Sequence, residues 1–151
     1  MTTTYDIQPL IGYGELKFGQ SIEETIDLLG DAEEIDHLDT DDQMNTIVLH
    51  YWEQETSIFF EGVSRTVLSC FETDHLDATL YGRKVFEMTS EEVIQLMAEH
   101  GYENPEIEEE EGETRVTFED ALIDFFYDGE ELLAVNWGVL VNEAGEIETD
   151  D

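Results

Sequence analysis

Residues 13–28 read YGELKFGQSIEETIDL, and residues 81–96 read YGRKVFEMTSEEVIQL. Seven of these sixteen positions are identical, and Ser21 in the first stretch matches Thr89 in the second. Shared helix-start chemistry explains a hydroxyl followed by glutamates, but it does not explain the Tyr-Gly-x-x-x-Phe pattern that precedes them in both stretches. We therefore interpret the match as an internal duplication of the chain.

Each copy begins with the pattern of a capped helix. Ser21 with Glu24, and Thr89 with Glu92, have the spacing of a capping box, in which a hydroxyl and a carboxylate bond the free amides of a helix start. Apolar residues at helical spacing follow in both copies, and a glycine ends each run. The sequence thus predicts one amphipathic helix in each half.

Strand patterns follow each predicted helix. Asp128-Gly129 has the composition of a tight hairpin turn. The two copies also continue to match, residues 58–62 on 125–129 and residues 67–71 on 133–137. Six segments are rich in β-branched and aromatic residues: 47–52, 57–60, 66–71, 115–118, 121–127 and 132–141.

These elements predict an α+β fold. It is a tandem repeat of two helix-plus-antiparallel-meander units, residues 8–75 and residues 76–141, with the helices packed on one face of the sheet. Residues 142–151 are predicted to form an acidic C-terminal tail. A unit of about 65 residues is marginally stable alone, so the two units are expected to pack into one compact domain.

The composition excludes several classes of function. The 151 residues include 40 Asp and Glu but only 5 Lys and Arg, for a net charge of −35. So few cations cannot neutralise a row of phosphates, which excludes binding of nucleic acid and of an anionic membrane surface. No apolar run approaches the roughly 20 residues of a membrane span, and the first residues lack the basic and apolar parts of a signal peptide. With a single cysteine, Cys70, the sequence predicts a cytoplasmic protein without an internal disulfide.

Residues 16–30, LKFGQSIEETIDLLG, resemble the helical signature of SmpA/OmlA-like units, roughly I-x-x-G-M-S-x-x-E-V-x-x-L-L-G-x-P. Those units build small outer-membrane assembly lipoproteins and the β-lactamase inhibitor protein, itself a tandem repeat with a concave sheet surface. The resemblance covers residues 10–30 and, through the duplication, residues 80–101, although Gln20 and Thr25 depart from the signature. It implies a fold of this type and binding of proteins through the sheet, and it implies no enzyme activity.

No motif for catalysis or metal binding is present in the sequence. The four histidines have no metal-ligand spacing, no serine lies in a nucleophile elbow, and no glycine-rich phosphate loop occurs. Residues 39–42, DTDD, suggest a calcium loop, but its sixth position is Met44 instead of glycine and its twelfth is His50 instead of glutamate. We therefore predict no enzyme activity, no cofactor and no metal ligand, with weak, non-specific binding of divalent cations by the acidic loops as the open alternative.

Three explanations of the acidic excess remain open. Both halves share it, with 17 acids and 2 bases in residues 1–75 and 23 acids and 3 bases in residues 76–151. The first, which we favour, is a non-enzymatic inhibitor or immunity-type protein that covers a basic surface of a partner protein. The second is salt adaptation, in which the charge has no function, although 26 Glu against 14 Asp and only 6 Ala fit a halophilic source poorly. The third is an enzyme with an acidic site, which no motif supports.

A binding site is predicted around Asp124, which interrupts the otherwise apolar run LIDFF. Asp124 and Phe126 share one strand face by alternation, and Phe59 is the counterpart of Phe126 in the first copy. Trp52 shares a face of its own strand with His50. We predict that Trp52, Phe59, Asp124 and Phe126 form a concave, partner-binding patch ringed by carboxylates. If these aromatic residues instead belong to the core, the assignment of the sheet faces is inverted.

Overall fold

The structure is a computed structural model that describes residues 5–39, 45–62, 66–141 and 146–148. It is 49% strand and 21% helical. Most strands belong to an eight-stranded sheet, here called the large sheet, or to a five-stranded one, the small sheet. Up to residue 73 the elements are β1 (Asp6–Gln8), β2 (Gly12–Tyr13), β3 (Leu16–Lys17), α1 (Ile22–Leu29), β4 (Glu34–Asp39), β5 (Asn45–Tyr51), a 3-10 turn (Trp52–Gln54), β6 (Thr56–Gly62) and β7 (Val67–Thr73).

The second half of the chain adds the remaining strands and helix. A last pair of short strands, β14 and β15, forms a separate two-stranded sheet. The elements are β8 (Thr79–Leu80), β9 (Arg83–Lys84), a 3-10 turn (Val85–Glu87), α2 (Ser90–Glu99), β10 (Glu106–Glu110), β11 (Glu113–Phe118), a 3-10 turn (Glu119–Ala121), β12 (Ile123–Asp128), β13 (Glu131–Gly138), β14 (Leu140–Val141) and β15 (Ile147–Glu148).

The large sheet joins strands from both halves of the chain. Its order is β10-β11-β12-β13-β7-β6-β5-β4, and every neighbouring pair is antiparallel. At its centre β13 pairs with β7, so that Trp137 lies opposite Phe71 and Asn136 lies opposite Glu72. The four strands of each half therefore continue directly into those of the other half.

The last strands of the two halves align differently by strand pairing than by sequence match. Ile58 of β6 pairs with Phe71, whereas Phe125 of β12, its counterpart, pairs with Val135. The sequence match instead put Phe71 on Trp137, two residues further along. A shift of two residues leaves every side chain on the same face of a sheet, because side chains alternate, and so the sequence pattern could not reveal it.

The small sheet covers the centre of the inner face of the large sheet, which holds the core. Its order is β3-β2-β1-β8-β9, and its β1–β8 pair is parallel. The ring of Tyr13 in β2 lies 5.6 Å from that of Phe71 and 5.1 Å from that of Trp137. The Trp137 indole donates to the Gly12 carbonyl at 3.0 Å. Glycine is required there because a Cβ would lie 1.9 Å from the carbonyl oxygen of Leu16.

Both predicted capping boxes are confirmed. The Ser21 hydroxyl accepts from the Glu24 amide at 3.1 Å, and the Thr89 hydroxyl accepts from the Glu92 amide at 3.3 Å. Each glutamate side chain in turn accepts from the amide of the capping residue. The helices contribute unequally to the core: α2 buries Val93, Leu96 and Met97, and α1 buries Thr25.

The predicted α+β fold class is wrong. The prediction of two helix-plus-antiparallel-meander units, with helices packed on one face of the sheet, missed the small sheet because its strands are only two or three residues long. It also missed β4 and β10, which lack the alternating apolar pattern of a half-buried strand. The chain is instead mainly β, with two α-helices in the part that the structure describes. The unit bounds 8–75 and 76–141 stay predictions.

Two predictions fall largely on residues outside the described ranges. Of the acidic turn at residues 39–42, only Asp39 is described, as the last residue of β4. Of the predicted tail, residues 142–151, only residues 146–148 are described, and they include β15.

Candidate functional site

The outer face of the large sheet points away from the core and carries a row of polar side chains. Register pairs join one residue from each of the eight strands into this row. None of the eight is buried; on the six central strands, the inward positions supply the core instead. We call this set the polar row; in order across the sheet it is Glu34, His50, Ser57, Glu72, Asn136, Asp124, Thr117 and Glu106.

The four residues of the predicted patch lie on this face or at its edge. Asp124 belongs to the polar row, and Phe59 and Phe126 alternate with fully buried neighbours and are themselves half-buried. Trp52 begins the 3-10 turn after β5 and is 53% exposed. These aromatic residues therefore do not form the core, and the face assignment is not inverted. Their role in binding a partner stays a prediction.

Cys70 links the two halves of this face. It lies opposite Phe59, and its thiol donates to the side-chain oxygen of Asn136 at 3.4 Å. Burial, together with the nearby charges of Glu61 and Glu72, raises the pKa of Cys70 to about 12. The thiol is therefore protonated and unreactive at neutral pH.

Hydrogen bonds to both of its ring nitrogens hold His50 in place. We call the group of Asp36, His50 and Ser57 the relay. Nδ1 lies 2.9 Å from the Ser57 hydroxyl, and Nε2 lies 2.7 Å from a carboxylate oxygen of Asp36 on β4. The ring of His50 stacks on the indole of Trp52, with centroids 4.4 Å apart and planes 11° apart. The relay thus fixes the surface on which Trp52 rests. Sequence analysis missed Asp36 because β4 was not predicted, and only the register of that strand brings it to His50.

Asp36, His50 and Ser57 are the residue types of an acyl-transfer triad, but their surroundings do not suit that chemistry. A triad needs donors or positive charge where the oxyanion develops. Ser57 lies inside the paired strand β6, and the carboxylate-bearing Glu72 lies directly opposite it. Negative charge beside the hydroxyl would oppose an oxyanion. The relay is therefore better explained as a device that orients Trp52.

The same region contains the described residues that could share a metal ion. One ligand atom each from Glu34, Asp36 and His50 lies within 4.8 Å of the others. A histidine nitrogen and carboxylate oxygens are suitable ligands for a divalent transition metal. However, a metal on Nε2 would break the 2.7 Å contact between His50 and Asp36 that orients the ring. We therefore interpret the group as part of the relay, and the absence of a metal ligand stays a prediction.

A concave surface beside Trp52 has a volume of about 390 Å³. Its lining includes two buried threonines, Thr56 and Thr73, whose hydroxyls lie 2.9 Å apart. Three exposed carboxylates stand around it, and the described lining residues include no lysine or arginine. We call this surface the Trp52 depression; its lining residues are Trp52, Glu55, Thr56, Ser57, Glu72, Thr73, Asp74 and Ala134.

The opposite end of the polar row is acidic and lacks a comparable aromatic side chain. The carboxylate of Glu119 raises the pKa of Glu106 by charge repulsion and by a hydrogen bond to it. Arg115 is paired with Glu108 at 2.6 Å. A second concave surface of about 450 Å³ lies here, lined mainly by glutamates together with Arg115 and Phe126.

Comparisons with known proteins do not assign the chain to a family. No protein-family model, no curated protein and no solved structure matches it. The resemblance of residues 16–30 to SmpA/OmlA-like units therefore stays a prediction. Among the described residues, no helix has the length and apolar character needed to cross a membrane.

Proposed function

We propose that the chain is a non-enzymatic, acidic protein-binding module of the inhibitor or immunity type, which covers a basic surface of a partner protein. The observation that carries this proposal is the exposed, oriented indole of Trp52 among carboxylates at one end of the polar row. Aromatic anchors supply much of the affinity at protein interfaces, whereas surrounding charges speed association and disfavour wrong partners. A net charge of −35 would also attract a basic partner from a distance.

Two further considerations support this function. The resemblance of residues 16–30 to SmpA/OmlA-like units implies binding of proteins through the sheet. The polar row, with Phe59 and Phe126 beside it, gives the sheet a broad outer face with both apolar and acidic groups. We place the protein in the cytoplasm, where the single cysteine, Cys70, stays reduced.

Salt adaptation is the alternative explanation of the charge. It requires acidic side chains over the whole surface, but it does not require an exposed tryptophan. Nor does it require His50 to be held on both ring nitrogens beneath that tryptophan. Because salt adaptation does not explain an exposed tryptophan supported in this way, we favour binding of a partner.

The proposed function is tested by capture of a partner from the source lysate at low salt, followed by elution at high salt. The immobilised proteins are the wild type, the double variant Trp52→Ala/Phe126→Ala, and Leu140→Ala as a control for loss of an exposed apolar side chain. We expect one basic protein to bind the wild type and the control but not the double variant. Equal capture by all three proteins would contradict the proposal, as would capture of acidic proteins only.

A further inference from the structure

We propose that the Trp52 depression receives an arginine side chain of the partner, with the guanidinium stacked on Trp52 and paired with the carboxylates around it. This inference rests on the proposed function and specifies its recognition chemistry. It is carried by the charge of the depression, by the free face of the indole and by the rigid support of both.

The charge of the depression selects a cation. Glu55, Glu72 and Asp74 are exposed around it, and no lysine or arginine is among its described lining residues. The cations whose positions are described lie elsewhere: Lys17 bonds Gln8, Arg83 approaches Glu92, Arg115 bonds Glu108, and Lys84 lies on β9. Three carboxylates with no lysine or arginine among the described residues of the lining favour a positively charged ligand.

Trp52 favours a planar cation. One face of the indole is stacked on His50, and the side chain nevertheless remains 53% exposed and lines the depression. The other face is therefore available to a ligand. A guanidinium stacks flat on an indole and also presents several donors in a fixed fork, whereas an ammonium is a compact and strongly hydrated point charge. Stacking combined with several separated carboxylates thus favours arginine over lysine.

The walls of the depression are held in place before the ligand binds. His50, bonded to Ser57 and Asp36, supports the indole from behind. On the other side, the Glu55 carbonyl accepts from the Thr73 hydroxyl at 2.9 Å and from the Asp74 amide at 3.2 Å. These bonds tie the turn to β7. A preformed site loses less conformational entropy on binding, which raises its affinity for a single side chain.

The depression is large enough to admit an arginine side chain. Its volume of about 390 Å³ lies near the lower end of the roughly 300–1,000 Å³ typical of ligand pockets.

The test uses three tripeptides: acetyl-Gly-Arg-Gly-amide, the same peptide with lysine, and the same peptide with citrulline, which keeps the shape of arginine without its charge. Each is titrated into the full chain at low salt, with a chelator present, and the two indole resonances are followed by NMR. Trp52 reports on the depression. Trp137 is the internal control, because it is buried and its indole donates to Gly12.

We expect the arginine peptide to shift the Trp52 resonance with a Kd on the order of 1–10 mM, as a single side chain allows. The lysine peptide should bind about 2- to 5-fold more weakly, and the citrulline peptide should cause no shift. Glu72→Gln should weaken arginine binding several-fold, whereas Glu108→Gln, at the other end of the large sheet, should not. Citrulline binding equal to arginine binding would overturn the inference, as would arginine shifts unchanged by Glu72→Gln or no shift at all.

The two proposals can fail separately. If the arginine peptide binds at Trp52 but no basic protein is captured from the lysate, the proposed function is wrong and the arginine site stands. If a basic protein is captured but the arginine peptide leaves Trp52 unshifted, the arginine site is wrong and the proposed function stands.

Discussion

The two halves of the polar row have the same geometry but different chemistry. In the first half, His50 and Ser57 lie opposite each other and share a hydrogen bond of 2.9 Å. At the corresponding positions of the second half, the Thr117 hydroxyl donates to the Asp124 carboxylate. Strand pairing therefore brings two side chains together in both halves. The type of side chain decides whether the pair can support an aromatic residue in the turn that follows.

The turns after these strands show the consequence. The first 3-10 turn begins with Trp52, which finds a flat partner in His50. The 3-10 turn after β11 begins with Glu119, which instead interacts with the carboxyl of Glu106. One end of the row thus presents an aromatic anchor and the other a group of carboxylates.

The inner faces of the two halves do not differ in this way. At four pairs of corresponding positions, the residues are apolar or aromatic and are buried in both halves, because both halves face the same core. Only the outer face is free to change. The corresponding buried pairs are Leu49 and Val116, Tyr51 and Phe118, Ile58 and Phe125, and Phe60 and Tyr127.

Exchange of the two turn residues should have the largest effect. Trp52→Glu is expected to weaken binding of the captured partner by about 30- to 100-fold, as loss of a central anchor does. Adding Glu119→Trp should not restore binding, because Thr117 offers no ring on which the new indole could stack. Surface plasmon resonance with the purified partner measures both variants. Recovery in the double variant would show that either end can carry the anchor and that His50 is dispensable.

Salt should stabilise the whole chain, and the second half most. With a net charge of −35, the melting temperature should rise clearly between about 10 and 500 mM salt as repulsion is screened. All five residues of β10 are exposed and four are glutamates. We therefore expect the amides of the β10–β11 pair to exchange faster than those of β4–β5 at low salt, with the difference narrowing at high salt. A melting temperature that does not change with salt would contradict this prediction.

His50→Thr should make the first half resemble the second. Loss of the stacked ring is expected to free Trp52, lower its fluorescence anisotropy and weaken partner binding by about 5- to 10-fold, with a change in stability under about 1 kcal/mol. Trp137→Phe in the same background isolates the Trp52 signal, with the single Trp137→Phe variant as its reference. Thr117→Ala is the matched control. If Thr117→Ala lowered partner affinity as much as His50→Thr, the two ends of the row would have equal roles and the prediction would be wrong.

The smallest effect concerns the carboxylates at the second end. The Glu119 charge raises the pKa of Glu106 above its ordinary value, so the stability associated with its protonated form is present at low pH and is lost as pH rises through the raised pKa. Glu106→Gln should therefore have a slightly higher melting temperature than the wild type at pH 7, and the gap should close in acid.

Glu92 provides a control of opposite sign. Hydrogen bonds from the backbone and side chain of Thr89 lower the pKa of Glu92. Its contribution to stability is thus present at neutral pH and is lost as pH falls through the lowered value. Glu92→Gln should lower the melting temperature at pH 7, with the loss disappearing in acid. The interpretation of these carboxylates would be contradicted if, for both variants, the difference in melting temperature from the wild type were the same at pH 4 and at pH 7.

Parts of the structure with strong local patterns were predictable from the sequence. The capping boxes at Ser21 and Thr89 depend on residues three positions apart, and both are present. The partial exposure of Phe126 was indicated by its alternation with Asp124, and that of Phe59 by the match between the two copies. In both cases the deciding contacts lie within one turn of helix or one strand.

Features set by contacts between distant strands were not predictable. β10 reads EIEEE, which has no apolar periodicity, and only its pairing with β11 makes it a strand. The parallel β1–β8 pair joins segments about seventy residues apart. Asp36 reaches His50 only through the register of β4. These misses explain both the wrong fold class and the absence of the relay from the predicted site.

The position of β10 and β4 as the outermost strands of the large sheet has a consequence for self-association. An open sheet edge is a template on which another chain can add a strand, and such addition leads to aggregation. The glutamates of β10, and Glu34 on β4, place like charges where two copies would meet edge to edge. These acidic side chains oppose the addition of a ninth strand from another copy, and their removal from β10 is expected to make that edge prone to fibre growth.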